Sequence, residues 1–207
     1  MTSEDEFFSC VDVSRETMER FRGYSRLLER WNTKINLVAP STLPALWSRH
    51  FLDSVQLWDL APDPLTTWMD LGSGGGFPAL VLAILAKERS PKVVFQLVES
   101  DQRKAAFLRT VVREIDLNAD VTADRIESVK KCSPSVISAR ALAPLSKLLE
   151  YAYRQQDEHT VCLFPKGKAA QHEVEEARKT WDFSMMEFAS KTDPQATILK
   201  IEEIKRA

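Results

Sequence analysis

Hydrophobic positions along the chain follow two different periods. Over residues 14–32, apolar side chains recur at helical spacing behind Ser14, a residue type that caps helix N-termini, and a second helical stripe runs from about 43 to 58. From residue 66 onward, short apolar runs of strand length alternate with stretches of helical period. This order predicts a helical beginning followed by an α/β domain with a mostly parallel sheet covered on both faces. The predicted strands lie near 68–71, 93–98, 119–123, 135–139, 160–164, 182–188 and 197–204, and the helices between them near 78–87, 101–116, 144–155 and 168–180.

A proline-rich link, Ala61–Pro64, separates the helical beginning from the first predicted strand. The length of 207 residues suits one α/β domain with an appendage. We therefore expect residues 1–62 to form a helical extension packed on the core, and residues 63–207 to form the ligand-binding domain.

Four of the six glycines lie directly after the first predicted strand, at positions 72 and 74–76. Because glycine weakens regular structure, this cluster indicates a tight turn that a ligand approaches closely. A dinucleotide fingerprint fails at Phe77, which stands at its last glycine position, and no Lys-Ser or Lys-Thr pair completes a phosphate loop. The pattern is instead Asp70-x-Gly72-x-Gly74-x-Gly76, whose carboxylate favours a ligand with a cationic amino group over a pyrophosphate.

Polar residues follow the other predicted strands, at the edge where an open α/β sheet binds its ligands. Glu99 ends the second strand, about twenty residues past the glycine turn, where an acid accepts hydrogen bonds from ribose hydroxyls. In a site that binds an adenosine-containing ligand, the loop 123–127 after the third strand would face the adenine. Arg140 follows the fourth strand and is predicted to point into the cleft at a carboxylate or phosphate, with a structural ion pair as the alternative.

Three residues of the second predicted helix, Arg49, His50 and Asp53, have side chains that could carry function, but a structural role is favoured for each. His50 lies on the apolar stripe, where a hydrogen-bonded core histidine is favoured over a catalytic base. Arg49 and Asp53 are four residues apart, a spacing that predicts an ion pair on the helix face.

Elsewhere, Ser73 lacks the flanking glycines of a nucleophile elbow, and no cysteines or histidines have metal-ligand spacing. The sequence therefore predicts neither a nucleophile nor a metal site.

The net charge of −2 does not by itself indicate a nucleic-acid binder, but it is unevenly distributed. Residues 1–13 carry four acids and no Lys or Arg, which leaves +2 on the remainder, so any RNA surface would be a local patch. The three cysteines are far apart, as is typical of a reducing compartment. The longest apolar run, Ala79–Ala86, is too short to span a bilayer, and the acidic start does not resemble a signal peptide. We expect a soluble, cytoplasmic protein.

Six short motifs spread over nearly the whole chain carry a family resemblance. They are Trp31-Asn32-x-x-x-Asn36-Leu37, Arg49-His50-x-x-Asp53-Ser54, Asp70-x-Gly72-x-Gly74-x-Gly76-Phe77-Pro78, Arg125-x-Glu127, Arg140-Ala141-Leu142-Ala143-Pro144-Leu145 and Lys166-Gly167. The glycine motif alone resembles the first motif of class I S-adenosylmethionine-dependent methyltransferases. With the two N-terminal motifs, the chain resembles the bacterial 16S ribosomal RNA guanine-N7 methyltransferase family, also called the glucose-inhibited division protein B family.

The resemblance implies the class I methyltransferase fold, Rossmann-like and doubly wound, with a mostly parallel seven-stranded sheet behind the helical extension. It implies methyl transfer from S-adenosyl-L-methionine to N7 of a specific guanine in a hairpin loop of 16S ribosomal RNA, either free or in a small-subunit assembly intermediate. We expect a monomer without metal or membrane. The expected cofactor contacts are Gly72, Phe77, Ile126, Glu127 and Arg140, to which the arguments above add Asp70, Gly74 and Glu99. The candidate RNA-binding cations are Arg103, Lys104, Arg109, Arg125, Lys166 and Lys168.

The implied reaction agrees with the predicted absence of a general base. Guanine N7 has a free lone pair and loses no proton before it attacks a methyl group, so positioning and desolvation are sufficient catalysis. Three alternatives stay open. The protein is a methyltransferase with the same cofactor that acts on a small molecule or protein, a non-catalytic rRNA-binding assembly factor, or an NAD-dependent dehydrogenase. Asp70 and Phe77 argue against the dehydrogenase. A basic residue that the family has before the last strand is not evident near Ala196, which leaves an RNA contact there unsupported.

Overall fold

The structure is a computed structural model that describes residues 4–207, and it combines a helical N-terminal segment with alternating strands and helices. The helices are α1 (Glu4–Cys10), α2 (Arg15–Asn32), α3 (Asp53–Val55), α4 (Ala79–Arg89), α5 (Gln102–Ile115), α6 (Leu145–Gln155) and α7 (Ala170–Ala177). The strands are β1 (Thr67–Leu71), β2 (Val94–Val98), β3 (Ala119–Thr122), β4 (Val136–Ser138), β5 (Val161–Lys166), β6 (Trp181–Ala189) and β7 (Thr197–Arg206).

All seven strands belong to one sheet with the order β3-β2-β1-β4-β5-β7-β6. β1 to β5 are parallel, and β7 pairs antiparallel with both β5 and β6. Trp68 pairs with Phe95 of β2 on one side and with Val136 of β4 on the other, so the strand order reverses at β1. Ligands of open α/β sheets bind outside the carboxyl ends of the strands at such a switch point. The mostly parallel seven-stranded sheet confirms the predicted fold class.

Apolar residues are buried on both faces of this sheet. On one face α4 is buried along its whole apolar run, Ala79 to Ala86, because it lies between the sheet and the N-terminal segment. The N-terminal segment adds aromatic rings to this cluster, and Tyr24 stacks on Phe51 with ring centroids 5.3 Å apart. On the other face α6 and α7 cover the sheet. Burial of each such aromatic ring stabilises the fold by about 1.5–3 kcal/mol, which attaches the N-terminal segment firmly to the core.

The second helix predicted at 43–58 is present as a helical segment, but only a small part of it is α-helical. The chain there forms a 3₁₀ turn (Pro40–Ala45), a π turn (Trp47–Leu52), the short α3 and a further 3₁₀ turn (Trp58–Leu60). Pro44 contributes no backbone N–H, so it cannot continue an α-helical hydrogen-bond ladder. A π turn also changes which side chains share a face. By contrast, α2 begins where predicted, with the hydroxyl of Ser14 accepting a hydrogen bond from the backbone N–H of Thr17.

Candidate cofactor site and adjoining cavity

The turn after β1 has backbone conformations that favour glycine. The φ angle is +65° at Gly72, +54° at Gly74 and +93° at Gly76, all in the left-handed region. A Cβ atom at Gly72 would lie 2.5 Å from Cδ1 of Leu142, and one at Gly76 would overlap the side chain of Leu80. The structure therefore confirms the tight turn that the glycine cluster predicts, and it shows that the turn is closely packed from both sides.

A cavity of about 630 Å³ lies on this turn, and we call it the first cavity. Its volume falls within the roughly 300–1,000 Å³ of small-molecule sites. Three residues of the N-terminal segment, Leu37, Val38 and His50, complete its wall. Of the eight predicted cofactor contacts, the seven that line it are Gly72, Gly74, Phe77, Glu99, Ile126, Glu127 and Arg140.

Glu99, at the end of β2, connects the glycine turn to the next loop. Its Oε2 accepts a hydrogen bond from Gly74 N at 2.8 Å, and its Oε1 accepts one from Asp101 N at 2.8 Å. The side chain is buried, and each carboxylate oxygen has a further lone pair for a ligand hydroxyl. Glu99 thus lines the first cavity in a fixed orientation.

Asp70 lies behind the wall of the first cavity. Its side chain is fully buried, Oδ1 accepts a hydrogen bond from Ser138 Oγ at 2.6 Å, and that hydroxyl accepts one from Trp68 Nε1 at 2.8 Å. Oδ2 has no hydrogen-bond partner among residues 4–207. Burial, opposed by the Ser138 hydrogen bond, raises the pKa of Asp70 to about 7. Asp70 thus does not line the first cavity, whereas the sequence predicts that it contacts the ligand directly.

Glu127 lies in a 3₁₀ turn, Ile126–Ser128, and lines the first cavity. The hydroxyl of Tyr151, on α6, donates a hydrogen bond to Glu127 Oε1 at 3.0 Å. Its own backbone N–H and the Tyr151 hydroxyl hold the pKa of Glu127 below its usual value. Tyr151 lines the first cavity, and sequence reasoning missed it because no motif includes it.

Arg140 follows β4, and three acceptors of the N-terminal segment hold its guanidinium. Nη1 donates to Asp53 Oδ2 and to the carbonyl oxygen of Arg49, both at 3.2 Å, and Nη2 donates to His50 Nδ1 at 2.6 Å. The guanidinium carbon also lies 4.9 Å from the centroid of the Phe77 ring. Arg140 therefore both lines the cavity and forms a structural ion pair. Since Asp53 pairs with Arg140, the predicted helix-face pair with Arg49 is wrong.

His50 has hydrogen-bond partners at both ring nitrogens. Because a guanidinium only donates, Nδ1 accepts from Arg140, and Nε2 carries the proton that it donates to Thr42 Oγ1 at 2.8 Å. Burial, followed by the charges of Arg140 and Arg49, lowers the pKa of His50 to about 3, so the ring is neutral. These contacts support the interpretation of His50 as a hydrogen-bonded core histidine.

A second cavity of about 700 Å³ adjoins the first and shares residues 140–142 with it. Arg49 lines it, as does Lys166 at the end of β5. The ammonium of Lys166 donates to Glu173 Oε2 at 2.7 Å and to the carbonyl of Ala143 at 2.9 Å, and its side chain is only 9% exposed. Lys166 is thus part of a partly buried ion pair and not the exposed rim cation that the sequence predicts.

The other candidate RNA-binding cations have different surroundings. Lys104 and Arg125 line the first cavity, and Arg125 is exposed. Arg103 and Lys168 are exposed. Arg109 donates a hydrogen bond to the backbone of β3 and lines neither cavity. Arg125 is therefore the exposed cation placed on the wall of the first cavity.

The first N-terminal motif covers the glycine turn. Oδ1 of Asn32 accepts hydrogen bonds from the backbone N–H groups of Leu37 and Val38, both at 2.9 Å, and both of these residues line the first cavity. The hydroxyl of Tyr24 donates to the carbonyl of Gly75 at 2.5 Å. Sequence reasoning did not place these residues in the site, although Asn32 and Leu37 belong to a recognised motif. The N-terminal segment is thus a wall of the candidate site.

Within residues 4–207, no group of three or more His, Cys, Asp or Glu side chains is arranged to hold a metal ion. No helix in the described part of the chain has both the length and the apolar character needed to cross a membrane. Cys10, Cys132 and Cys162 are free thiols.

The chemistry of the first cavity fits S-adenosylmethionine. It offers the Glu99 carboxylate for a ribose diol, the apolar side chains of Val98 and Ile126 for a flat ring, and the Arg140 guanidinium for a carboxylate. The glycine turn leaves no room for a Cβ at Gly72, as expected where a backbone must stay close to its neighbours. This site on a sheet of this topology defines a class I S-adenosylmethionine-dependent methyltransferase.

Comparisons with known proteins agree with this class and show which family within it the chain belongs to. An O-methyltransferase from Bacillus cereus in complex with SAH has the same fold, with a TM-score of 0.60 at 13% identity over 96% of each chain. The ribosomal RNA small subunit methyltransferase G of Ruegeria sp. (strain TM1040) is 48% identical over 95% of both chains. That of Cereibacter sphaeroides (strain ATCC 17025 / ATH 2.4.3) is 46% identical over 98% of both. The profile of the GidB family, rRNA small subunit methyltransferase G, matches residues 17–198. The chain belongs to this family.

Proposed function

We propose that the protein transfers the methyl group of S-adenosyl-L-methionine to N7 of a specific guanine in a hairpin loop of 16S ribosomal RNA. The observation that carries the proposal is the pair of adjoining cavities that share residues 140–142. The first has the groups that suit the cofactor, and the second adjoins it with room for a base. The name of the relatives, ribosomal RNA small subunit methyltransferase G, supports RNA as the methyl acceptor.

In this proposal the first cavity holds the cofactor, which supplies an electrophilic methyl group on a sulfonium centre. Glu99 accepts hydrogen bonds from the ribose hydroxyls. Ile126 and Glu127 border the adenine, and Tyr151 holds the Glu127 carboxylate in place. Arg140 donates to the carboxylate of the methionine part.

The second cavity holds the target guanine, and positioning replaces acid–base catalysis there. N7 would attack the methyl group with a lone pair that carries no proton, and the methyl–sulfur bond would break with its electron pair left on sulfur as a thioether, so no base is needed. His50 could not serve as one, because both its nitrogens are bonded within the protein. Methylation makes the base cationic, and the carboxylate of Glu173 on the wall of the second cavity stabilises that charge as it develops.

A guanine reaches this cavity only when it is out of its stack, as in a loop or after base flipping. Exposed cations at the cavity openings then hold the flanking phosphates. Arg125→Ala should raise KM for RNA several-fold and reduce the salt dependence of binding by about one phosphate contact. Arg154→Ala, near the C-terminal end of α6, is the matched control because it removes another exposed arginine, one that lines neither cavity. Equal effects of both variants would contradict this assignment of Arg125.

The decisive experiment is methylation of 16S ribosomal RNA, naked and in small subunits from methylation-deficient cells, followed by reductive strand cleavage at N7-methylguanine. We expect one cleavage site in at least one of the two substrates, and none in unrelated RNA of equal length. Absence of a cleavage site from both substrates would overturn the proposal. Light scattering should show a monomer, and fractionation of cells should place the protein in the cytoplasm.

A further inference from the structure

The second N-terminal motif, residues 49–54, contacts both cavities although the proposed reaction gives it no direct role. Oδ2 of Asp53 accepts a hydrogen bond from Arg140 Nη1 at 3.2 Å. Oδ1 of Asp53 accepts one from Thr192 Oγ1 at 2.9 Å and another from Gln56 Nε2 at 2.9 Å. Arg140 lines both cavities, and Thr192 lines the second. A single carboxylate therefore connects the guanidinium between the cavities to the turn between β6 and β7.

Gln56 extends this connection along the same turn. Its Oε1 accepts a hydrogen bond from the backbone N–H of Lys191 at 2.9 Å, and its Nε2 lies 3.3 Å from Ser190 Oγ. Gln56 is buried, so these bonds are shielded from water. The turn at 190–192 is thus held by the same short segment that holds Arg140.

The contacts of Arg140 leave donors for a ligand and fix where those donors point. A guanidinium has five N–H groups, and the bonds to Asp53, His50 and the Arg49 carbonyl use at most three of them. The side chains of Arg140 and Asp53 are each 18% exposed, so this pair is less screened than a surface ion pair. A guanidinium held in one plane presents its remaining donors in one direction, whereas an unrestrained one would lose entropy on binding a ligand.

We propose that Asp53 is a positioning residue for methyl transfer: its carboxylate orients Arg140 toward the cofactor and at the same time fixes the 190–192 turn on the wall of the second cavity. His50 completes this arrangement as a neutral acceptor. The role rests on the proposed function, because Asp53 acts on the reaction through Arg140. It gives the Arg49-His50-x-x-Asp53-Ser54 motif a physical purpose.

The first test needs neither cofactor nor RNA. Nitrogen NMR of the ligand-free protein reports whether rotation of the Arg140 guanidinium is hindered, with its signals assigned through Arg140→Lys. We expect separate, slowly exchanging Nη signals in the native protein and averaged signals in Asp53→Ala. Asp59→Asn is the matched control, since Asp59 is an exposed carboxylate whose ion pair with Lys191 reaches the same turn but not Arg140. Freely averaged Arg140 signals in the native protein would overturn the proposal whatever the activity.

The second test is kinetic. Asp53→Ala should lower kcat/KM for RNA methylation by up to about a hundredfold, as misplacement of a positioning group does. Most of this loss should disappear in an Arg140→Ala background, because both substitutions remove the same contact, and only the part due to the 190–192 turn should persist. Losses that simply add would show that Asp53 acts independently of Arg140 and would refute the proposal. If Asp53→Ala unfolds, Asp53→Asn replaces it, since asparagine keeps the size of the side chain but removes the negative charge that pairs with Arg140. Hindered Arg140 signals in a native protein that methylates no RNA would instead overturn the proposed function.

Discussion

Asp70→Asn is predicted to change how the stability of the protein depends on pH. The carboxyl of Asp70 is fully buried, and its pKa is raised to about 7 in the folded state against an ordinary 3.8. Between these values the folded state keeps a proton that the unfolded chain loses. The associated stability is therefore fully present below about pH 4 and is lost as pH rises through 7. The shift corresponds to about 4 kcal/mol, of which about 3 kcal/mol is lost between pH 5 and 8.

The assay is urea unfolding at half-unit pH steps from 5 to 8, for the native protein and the variant. The quantity of interest is the difference between their unfolding free energies. His50 titrates in the opposite sense, since its lowered pKa favours folding as pH rises, but it is present in both proteins and cancels in the difference. Asparagine also leaves a buried amide without a partner, at a cost of about 1–3 kcal/mol that does not vary with pH.

We expect the native protein to lose about 3 kcal/mol relative to Asp70→Asn between pH 5 and 8. Asp124→Asn, which removes an exposed carboxylate from the rim of the first cavity, controls for the loss of one negative charge. A difference curve for Asp70→Asn that is flat across this range would refute the argument that burial keeps this carboxyl protonated.

Three further substitutions test other parts of the site. Gly72→Ala should abolish cofactor binding in calorimetry and lower the melting temperature, because its Cβ has no room and φ is positive, whereas Gly167→Ala, with nothing within 4 Å, should do neither. Tyr151→Phe should weaken cofactor binding several-fold through loss of the hydrogen bond to Glu127, with an unchanged unfolding midpoint. Lys166→Met should destabilise the fold by about 1–3 kcal/mol in urea, because it leaves the carbonyl of Ala143 without this donor and removes the cation paired with Glu173; a loss confined to RNA binding would contradict its structural role.

Much of the fold could be predicted because apolar periodicity reports which face of an element is buried. The helix expected at 101–116 is α5 (Gln102–Ile115), and the strand expected at 93–98 is β2 (Val94–Val98). The backbone hydrogen-bond pattern of the segment 40–60 could not be predicted in this way. Its backbone mixes 3₁₀ and π turns and packs against α1 and α4, and the spacing of apolar residues does not report which of these turn types forms.

The features of the candidate site also fall into those that the sequence predicts and those that it does not. The sequence by itself determined the glycine turn and the acid after β2, because these features depend on backbone geometry within one strand, turn and helix. It does not determine which side chains meet: the sequence names no partner for Arg140, and it predicts an exposed Lys166. Only the tertiary structure brought Arg140 to Asp53, 87 residues away in the chain. The physical reason is that spacing encodes a buried face, whereas a partner across that face depends on sheet register and on how the N-terminal segment packs.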